Sequence, residues 1–560
     1  MPSERRQLRT LFRLFLFRLV DLEMLPSQDD VPRLLGQIAA MLMAFNLLFV
    51  RTVTKAFNVN GSIAQKLEAV RGEEHFFLAT TMVAVGLLMV LSWDSTFPDR
   101  RDVLVLAPLP VRTRTLFAAK IGALLSALGM TVVSMNLFTG LTYPSVLGVI
   151  SGGPLGVLQW AAAYWFTALS AGAFILGSIL TLQGVASHLM PRRLYVRVSG
   201  LLQLLAFVLL LGVYFLQPPL NKSNGDLALR LPSYWFLGLL TQLSGGTADA
   251  PLIYTRLAER AWVGLGCAVG GAAVMMFLSF RRTMRKLVEE PDIVPGQSAQ
   301  LRLPRIGSSL RAAILQFSMR TFARSRQHRV IFALYFGIGL SFALASARSL
   351  IYGKERDIIG PFLLASLMLF CCAVTGMRVV MAMPLSLKAN WIFQLTAIRA
   401  SSKYLEAIRT SFAAIGILPF ILIVAVVLAF IWPPNLAIVH VLVMMLWGWV
   451  LSEYCMIGFH KIPFTCSYVP GKANVHLRSG AFALVLVAIT DGFVKWERVA
   501  MSNWKSLIRI GVFLGLIAAF GRWRRLRHTE IEGDSVRYEE EAAKEIHPLE
   551  LFRDGHFAAD

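Results

Sequence analysis

Residues 411–432 read SFAAIGILPFILIVAVVLAFIW, and beyond Pro433 and Pro434 residues 435–459 read NLAIVHVLVMMLWGWVLSEYCMIGF. The first run has no charged side chain and the second has only Glu453. Each is long enough to cross a bilayer core as a helix, which takes roughly 20 apolar residues. Neither alternates between apolar and polar positions, as the strands of a membrane barrel do. The rest of the chain has the same character. Of its 560 residues 56% are hydrophobic and 16% charged, against roughly 25% charged in soluble domains. With a mean hydropathy of +0.61, the chain holds more apolar surface than a water-soluble core can hide.

Working outward, further apolar runs lie near 33–50, 76–93, 117–139, 155–185, 198–216 and 261–280, then near 328–346, 359–382, 478–492 and 506–520. The expected fold class is an all-α polytopic membrane protein with about 12 transmembrane helices, arranged as two parallel six-helix repeats. Expected boundaries are an amphipathic in-plane helix in 1–32, a first six-span half over 33–280, a basic linker over 281–327, a second six-span half over 328–520, and a tail over 521–560. Arg13 and Arg18 interrupt the first apolar stretch, which argues against a signal peptide.

Basic residues set the orientation, because Lys and Arg accumulate on the cytoplasmic side. Most of the 55 Lys and Arg fall on one side if both termini are cytoplasmic, with eleven of them in 281–329, including Arg281, Arg282, Arg285 and Lys286. The net charge of +22 is what this topology and an anionic inner leaflet produce, so no nucleic-acid partner is implied. The expected location is the cell membrane, inner or plasma, and RWRRLRH at 522–528 is placed against lipid headgroups. The five cysteines, Cys267, Cys371, Cys372, Cys455 and Cys466, lie in or beside apolar runs without metal-ligand spacing.

The two sets of six runs read as copies of one unit. Arg6, Arg9 and Arg13 share a helix face opposite Leu8, Leu11, Phe12, Phe15 and Leu19; Arg320 and Arg324 lie across from Leu315 and Phe322. Such helices lie in the membrane interface. Between the second and third runs, FPDRRDVLVLAPLPVRTRTLFAAK (97–120) corresponds to ANWIFQLTAIRASSKYLEAIR (389–409). Between the fourth and fifth, MPRRLYVRVSG (190–200) corresponds to VPGKANVHLRSG (469–480). These inserts exceed the roughly two to eight residues that a link between helices needs. In the first, the LAPLPV of 106–111 interrupts any helix begun at Asp99, Arg100, Arg101 and Asp102.

The amphipathic start, the six spans and the D-x-L-x-L-x-P-L-P pattern from Asp102 through Pro108 and Pro110, followed by Lys120, resemble the permeases of ABC-2 type exporters. LPSYWFLGLL (231–240) is similar to the Pro-x-x-Trp re-entrant helix often found before their last span. The second half matches less well: its insert lacks the paired prolines, and its last outer loop, about 492–505, is short. The resemblance implies coupling helices at 99–116 and 388–405, with Asp99, Arg100, Arg101, Asp102, Pro108, Pro110, Lys120, Asn390 and Trp391 meeting ABC-type ATPase subunits, two per chain, and Arg192, Arg193 and Lys472 close by. It also implies that this chain binds no cofactor, with ATP and Mg on the partner subunit, and that it exports a substrate the sequence does not identify.

The residues fit that division of labour. Gly353–Lys354 and Gly471–Lys472 lack the spacing of a phosphate-binding loop, and the longest segment between spans, 281–327, is too short for an ATPase domain. HExxH, GxSxG and a clustered His/Asp/Glu set are missing from the sequence, so an enzyme is not expected. Glu73, Glu74 and Asp226 read as solvated loop carboxylates. Asn46 and Asn136 read as interhelical hydrogen-bonding residues. Glu453 is the clearest ionisable residue within a span and a pathway candidate, unless it pairs locally beside His460 and Lys461. Few other charges line the spans. The alternatives are a secondary active transporter with parallel six-span repeats and, less favoured, a polytopic membrane enzyme. FPDRRD evokes the Asp-Arg loop motif of the major facilitator family, but here the loop is long and lacks glycines.

The orientation is directly testable. Alkaline phosphatase fused after Asp560 is expected to be inactive and a fluorescent protein fused there to be bright; the reverse pair of signals would place the C-terminus outside.

Overall fold

A computed structural model describes residues 4–20, 63–97, 111–218, 228–245, 252–289, 309–352, 359–383, 402–457, 492–501 and 503–532, with a few isolated positions besides. Every regular element among these residues is helical. Ten of the helices are long and apolar enough to cross a membrane, and the chain is a multi-pass α-helical membrane protein. Ten of the expected runs coincide with these helices. The runs near 33–50 and 478–492 fall largely outside the described residues. The described residues form two compact units, one within Met1–Val294 and one within Pro295–Glu545.

The first unit begins with α1 (Glu4–Val20), followed by α2 (Ile63–Leu91), a single turn α3 (Trp93–Thr96), α4 (Thr113–Leu189), α5 (Arg192–Phe215), α6 (Pro232–Leu243) and α7 (Leu252–Glu289). The apolar stripe of α1 buries Leu11, Phe15 and Leu19, spaced one helical turn apart, while Leu8, expected on that stripe, is 38% exposed. The stripe lies on the first part of α4, where Phe12 touches Gly122 and Phe15 lies under the Lys120 ammonium. An ion pair between Glu4 and Arg112 fixes one end of α1, and the Ser92 hydroxyl, donating to the Leu19 carbonyl at 2.6 Å, fixes the other.

α4 joins two of the expected spans in one kinked element. Its arms, Thr113–Ile150 and Gly152–Leu189, have 38 residues each, or about 57 Å of helix against a hydrocarbon core of about 30 Å. The apolar runs here are shorter than the helix, because they end at the polar and glycine-rich stretch that the helix runs through. The reversal falls on Gly152 and Gly153, and Gly153 has φ of 64°, a region that favours glycine. Just before it, a Cβ at Gly148 would come within 2.5 Å of the Val157 backbone, so the arms close only over glycine.

Between these helices, Asn136 donates to Thr81 Oγ1 and to the Val132 carbonyl, both at 2.9 Å, and accepts from the Tyr164 hydroxyl at 3.0 Å. Thr139 completes the cluster, 2.8 Å from the same hydroxyl. Asn136 thus links α2 to both arms of α4, as expected; Asn46 lies outside the described residues. Where α2 gives way to α3, two carbonyls accept from side chains: Val90 from Gln203 at 2.8 Å and Trp93 from Gln183 at 2.6 Å. The Trp93 indole donates to Ser199 at 3.0 Å. These bonds fix the point at which the chain leaves for the insert at 98–110. Beyond its span, α7 continues as helix to Glu289, so the basic stretch from Arg281 to Lys286 extends a helix rather than opening a loop.

The second unit contains α8 (Ser309–Arg324), α9 (Arg326–Tyr352), α10 (Ile359–Ala382), α11 (Ser402–Phe412), α12 (Leu418–Ile431), α13 (Pro434–Cys455), a helical segment at 492–501, and α14 (Trp504–Glu532). A π-helical turn, Ala413–Ile417, joins α11 to α12. Pro419 explains it: proline donates no hydrogen bond and its ring collides with the carbonyl four residues earlier, so the helix widens there. α8 packs on α11 and is ion-paired to it through Arg311 and Glu406 at 3.0 Å, much as α1 is tied to the start of α4. At the far end of α10, the Met381 carbonyl accepts from the Phe464 amide at 2.9 Å, and the Met383 carbonyl lies 3.2 Å from His328 Nε2.

The Asn136 cluster gives a stability prediction. Asn136→Leu is expected to cost about 1–3 kcal/mol by stripping shared hydrogen bonds from Thr81 and Tyr164. Adding Thr81→Val and Tyr164→Phe should restore much of the thermal unfolding midpoint in detergent. A single variant that unfolds like the wild type would show that no such cluster forms.

Candidate functional site

Lipid and packed apolar side chains offer no hydrogen bonds, so a buried ionisable group must find its partner within the protein. Among the described residues of the second unit, α13 carries two such clusters. His440 and Glu453 are each fully buried and stand 13 residues apart, about 20 Å along the helix.

Near the N-terminal end of α13, His440 Nδ1 lies 2.7 Å from Glu497 Oε1, and Nε2 lies 2.9 Å from Ser366 Oγ. Three elements meet there: α10 supplies Ser366, α13 His440, and the 492–501 segment Glu497. Glu497 is fully buried, and its Oε2 has no hydrogen-bond partner among the described residues. The segment reaches this position because Phe493, Val494, Glu497 and Ala500 share one buried face, while Lys495 and Arg498 are exposed. The apolar runs predict only a short loop at about 492–505. The signal that could have found the helix is this three- and four-residue spacing around a lone glutamate.

The order hydroxyl, imidazole, carboxylate is that of an activated nucleophile. Ser366, however, lies inside α10, whose neighbouring amides are committed to the helix ladder and cannot serve an oxyanion. Its hydroxyl is also within donating distance of the Leu363 carbonyl, at 3.0 Å. The contacts of the cluster suit the ring with one proton or with two. With a neutral ring, Nδ1–H donates to Glu497 and the Ser366 hydroxyl donates to Nε2. With a charged ring, both nitrogens donate and the hydroxyl turns to Leu363. The two states differ by one proton on Nε2 and by the rotation of one hydroxyl.

At the other end of α13, Glu453 Oε2 accepts from Arg525 Nε of α14 at 2.9 Å, and Oε1 lies 2.9 Å from Arg409 Nη1 of α11. The Arg409 contact is an ion pair outside hydrogen-bond geometry. Glu453 therefore joins three helices. Arg378 of α10 donates to the carbonyl of Cys455, two residues after Glu453, and covers the Phe459 ring at 4.3 Å. The expectation that few charges besides Glu453 line the spans is thus revised: arginines from other helices converge on the same bundle.

The first unit has a related clasp. His75 Nε2 is 3.0 Å from Ser233 Oγ, and its ring stacks on Tyr234 at 3.8 Å. Ser233 and Tyr234 open α6, a 12-residue helix with Pro232 in its first turn and eight buried residues. In both units, then, a histidine holds the short helical segment ahead of the last span. Glu74, expected among solvated loop charges, is 4% exposed. The difference arises because α2 starts at Ile63, so position 74 already lies in the helix and faces the core near Arg71. Asp226 lies outside the described residues.

Of the expected coupling residues, Asp99, Arg100, Arg101, Asp102, Pro108, Pro110, Asn390 and Trp391 lie outside the described residues, as do His460, Lys461 and Lys472. Arg192 and Arg193 form the first turn of α5. Lys120 is 3% exposed, with its ammonium 5.1 Å from the Phe15 ring centre, so it sits in the α1–α4 packing rather than on a free surface. Among the described residues no group of three or more His, Cys, Asp or Glu could hold a metal ion. No family model matches this chain, and no curated protein or solved structure matches it either.

A double-mutant cycle tests the His440–Glu497 contact. His440→Ala and Glu497→Ala are each expected to cost about 3–5 kcal/mol, because each strands a buried partner. Combined, they should fall short of additivity by more than about 1 kcal/mol. Additive losses in unfolding in detergent would mean the two groups do not meet.

Proposed function

We propose that this chain is the membrane-spanning permease of an ATP-driven exporter of the ABC-2 type, in which two copies of a separate subunit hydrolyse ATP. The observation that carries the reading is the repeated tether at each insert. α1 is ion-paired to Arg112, within the insert at 97–120, and α8 is ion-paired to Glu406, within the insert at 389–409. A push on either insert would enter the first turn of a long helix and be shared at once with an amphipathic helix packed against it. α6, a short buried helix ahead of the last span, also supports the reading, and the segment at 492–501 supplies a counterpart in the second half.

In this reading the chain has 12 spans in two parallel six-span halves, derived from one duplicated unit, with both termini cytoplasmic. The element order supports it: amphipathic helix, spans, insert, long helix, short buried segment and last span recur in both units. Closure of the ATPase pair would draw the inserts together and rock the halves. Glu453, with its arginines, would then hold three helices of the second half as one body rather than line the pathway.

One observation favours a second reading, a proton-coupled secondary transporter. His440, Glu497 and Ser366 form a buried group whose hydrogen bonds suit the imidazole with or without an added proton.

The decisive experiment is purification of the tagged chain from its native membranes in mild detergent. An ATPase subunit at about two copies per chain, lost in Arg100→Glu/Arg101→Glu, is the expected result. A chain that emerges alone while its neighbours are expressed, and that moves protons in vesicles without nucleotide, would replace the exporter with the second reading.

A further inference from the structure

The segment at 492–501 rests on its neighbours through a short apolar face and one carboxylate. Phe493 packs edge-on against Trp447 at 5.2 Å, Val494 and Ala500 are buried beside it, and Glu497 meets His440 at 2.7 Å. The segment ends at Met501, and α14 starts anew at Trp504, where Asn503 Oδ1 accepts from the Lys505 amide at 3.0 Å. This break is a hinge, since the segment can move there without unwinding α14.

With a neutral ring and an ionised Glu497, the group carries one negative charge, and both side chains are fully buried. Among the described residues neither has a charged partner besides the other. α10 presents the Ser366 hydroxyl, and the end of α12 is followed by Trp432, whose ring lies 6.2 Å from the imidazole. Lys495 and Arg498 lie on the exposed face of the segment, and Lys505 and Arg509 of α14 are exposed. Glu453, on α13 itself, is about 20 Å away along the helix.

One added proton balances this charge, and the geometry assigns its place. On Glu497 Oε2 it would donate to nothing, because that atom has no partner among the described residues. On Nε2 it meets Ser366 Oγ, 2.9 Å away, while the Ser366 hydroxyl turns to the Leu363 carbonyl. Every contact that ties the segment down is kept, and the bond from Nδ1–H to Glu497 becomes an ion pair, which is stronger.

We propose that His440 and Glu497 form a proton-binding latch. One proton on Nε2 holds the 492–501 segment on α10 and α13. When it leaves to water, the buried pair keeps a charge that its apolar surroundings do not offset, and the segment swings out until Glu497 is hydrated. No proton needs to cross the membrane, so the latch serves an ATP-driven exporter and a proton-coupled transporter alike. In the orientation proposed above, on which this one point rests, the latch faces away from the cytoplasm and reads the outer pH.

Amide hydrogen exchange of the full chain in mild detergent tests the latch, with each rate divided by the intrinsic rate at the same pH, between about pH 5 and 8. If closure binds one proton more than release, opening rises about tenfold per pH unit at its steepest. Protection over 493–501 is therefore expected to fall as pH rises in the wild type, while that of α5 stays constant. Glu497→Gln keeps an acceptor for Nδ1–H without the charge and should hold the segment protected across the range. His440→Gln leaves the carboxylate without its proton carrier and should leave the segment open across the range. Loss of packing alone would move both variants the same way. Protection of the wild-type segment that ignores pH, a Glu497→Gln segment that still opens as pH rises, or a His440→Gln segment as protected as Glu497→Gln would overturn the proposal.

Discussion

Inside a bilayer the protein must supply every hydrogen bond that water would otherwise give, and the architecture follows from that demand. It accounts for the choice of helices, which satisfy their own backbones. It also accounts for where side chains reach across helices. Gln203 and Gln183 meet carbonyls left over where α2 ends, and His328 lies beside the last carbonyls of α10. Asn136, the centre of the first unit, links three helical segments because each of its polar atoms must be used.

Charge raises the stakes of the same demand. An ionised side chain in an apolar bundle is tolerated only with a partner, and the partner is usually on another helix. Glu453 therefore clamps α11 and α14 onto α13, and His440 clamps α10 and the 492–501 segment at the other end of α13. α13 is the strut of the second unit as a result. In the first unit neutral hydrogen bonds and ring stacking take that part, through Asn136, Tyr164, His75 and Tyr234. Two units with similar element order thus have cores of different chemistry, which gives physical content to the idea of unequal halves.

The site was legible only in part. Glu453 stood out because a carboxylate is conspicuous in an apolar run. His440 and Glu497 did not, since their significance lies in a contact across 57 residues of sequence. Ser366 looks like any small residue at a helix interface. Glu74 was misjudged for a simpler reason: the limit of an apolar run is not the limit of its helix, and α2 starts well before its apolar portion.

By itself the sequence determined that the chain is helical, that it lives in a membrane, and where most of its spans lie. Those properties follow from length and polarity, because about 20 residues without a charge can be satisfied in lipid in only one way. Tertiary structure alone decided which face of each helix packs. On α5, Ser199, Gln203, Phe207 and Leu211 are buried, while Leu201, Leu205 and Leu209, at the same four-residue spacing, are 60–65% exposed. In water those two stripes would differ in polarity and the pattern would reveal the core. Lipid tails are as apolar as leucine, so the outward stripe can be as greasy as the inward one. What distinguishes them is the neighbour each stripe meets, and that is set only when the helices come together.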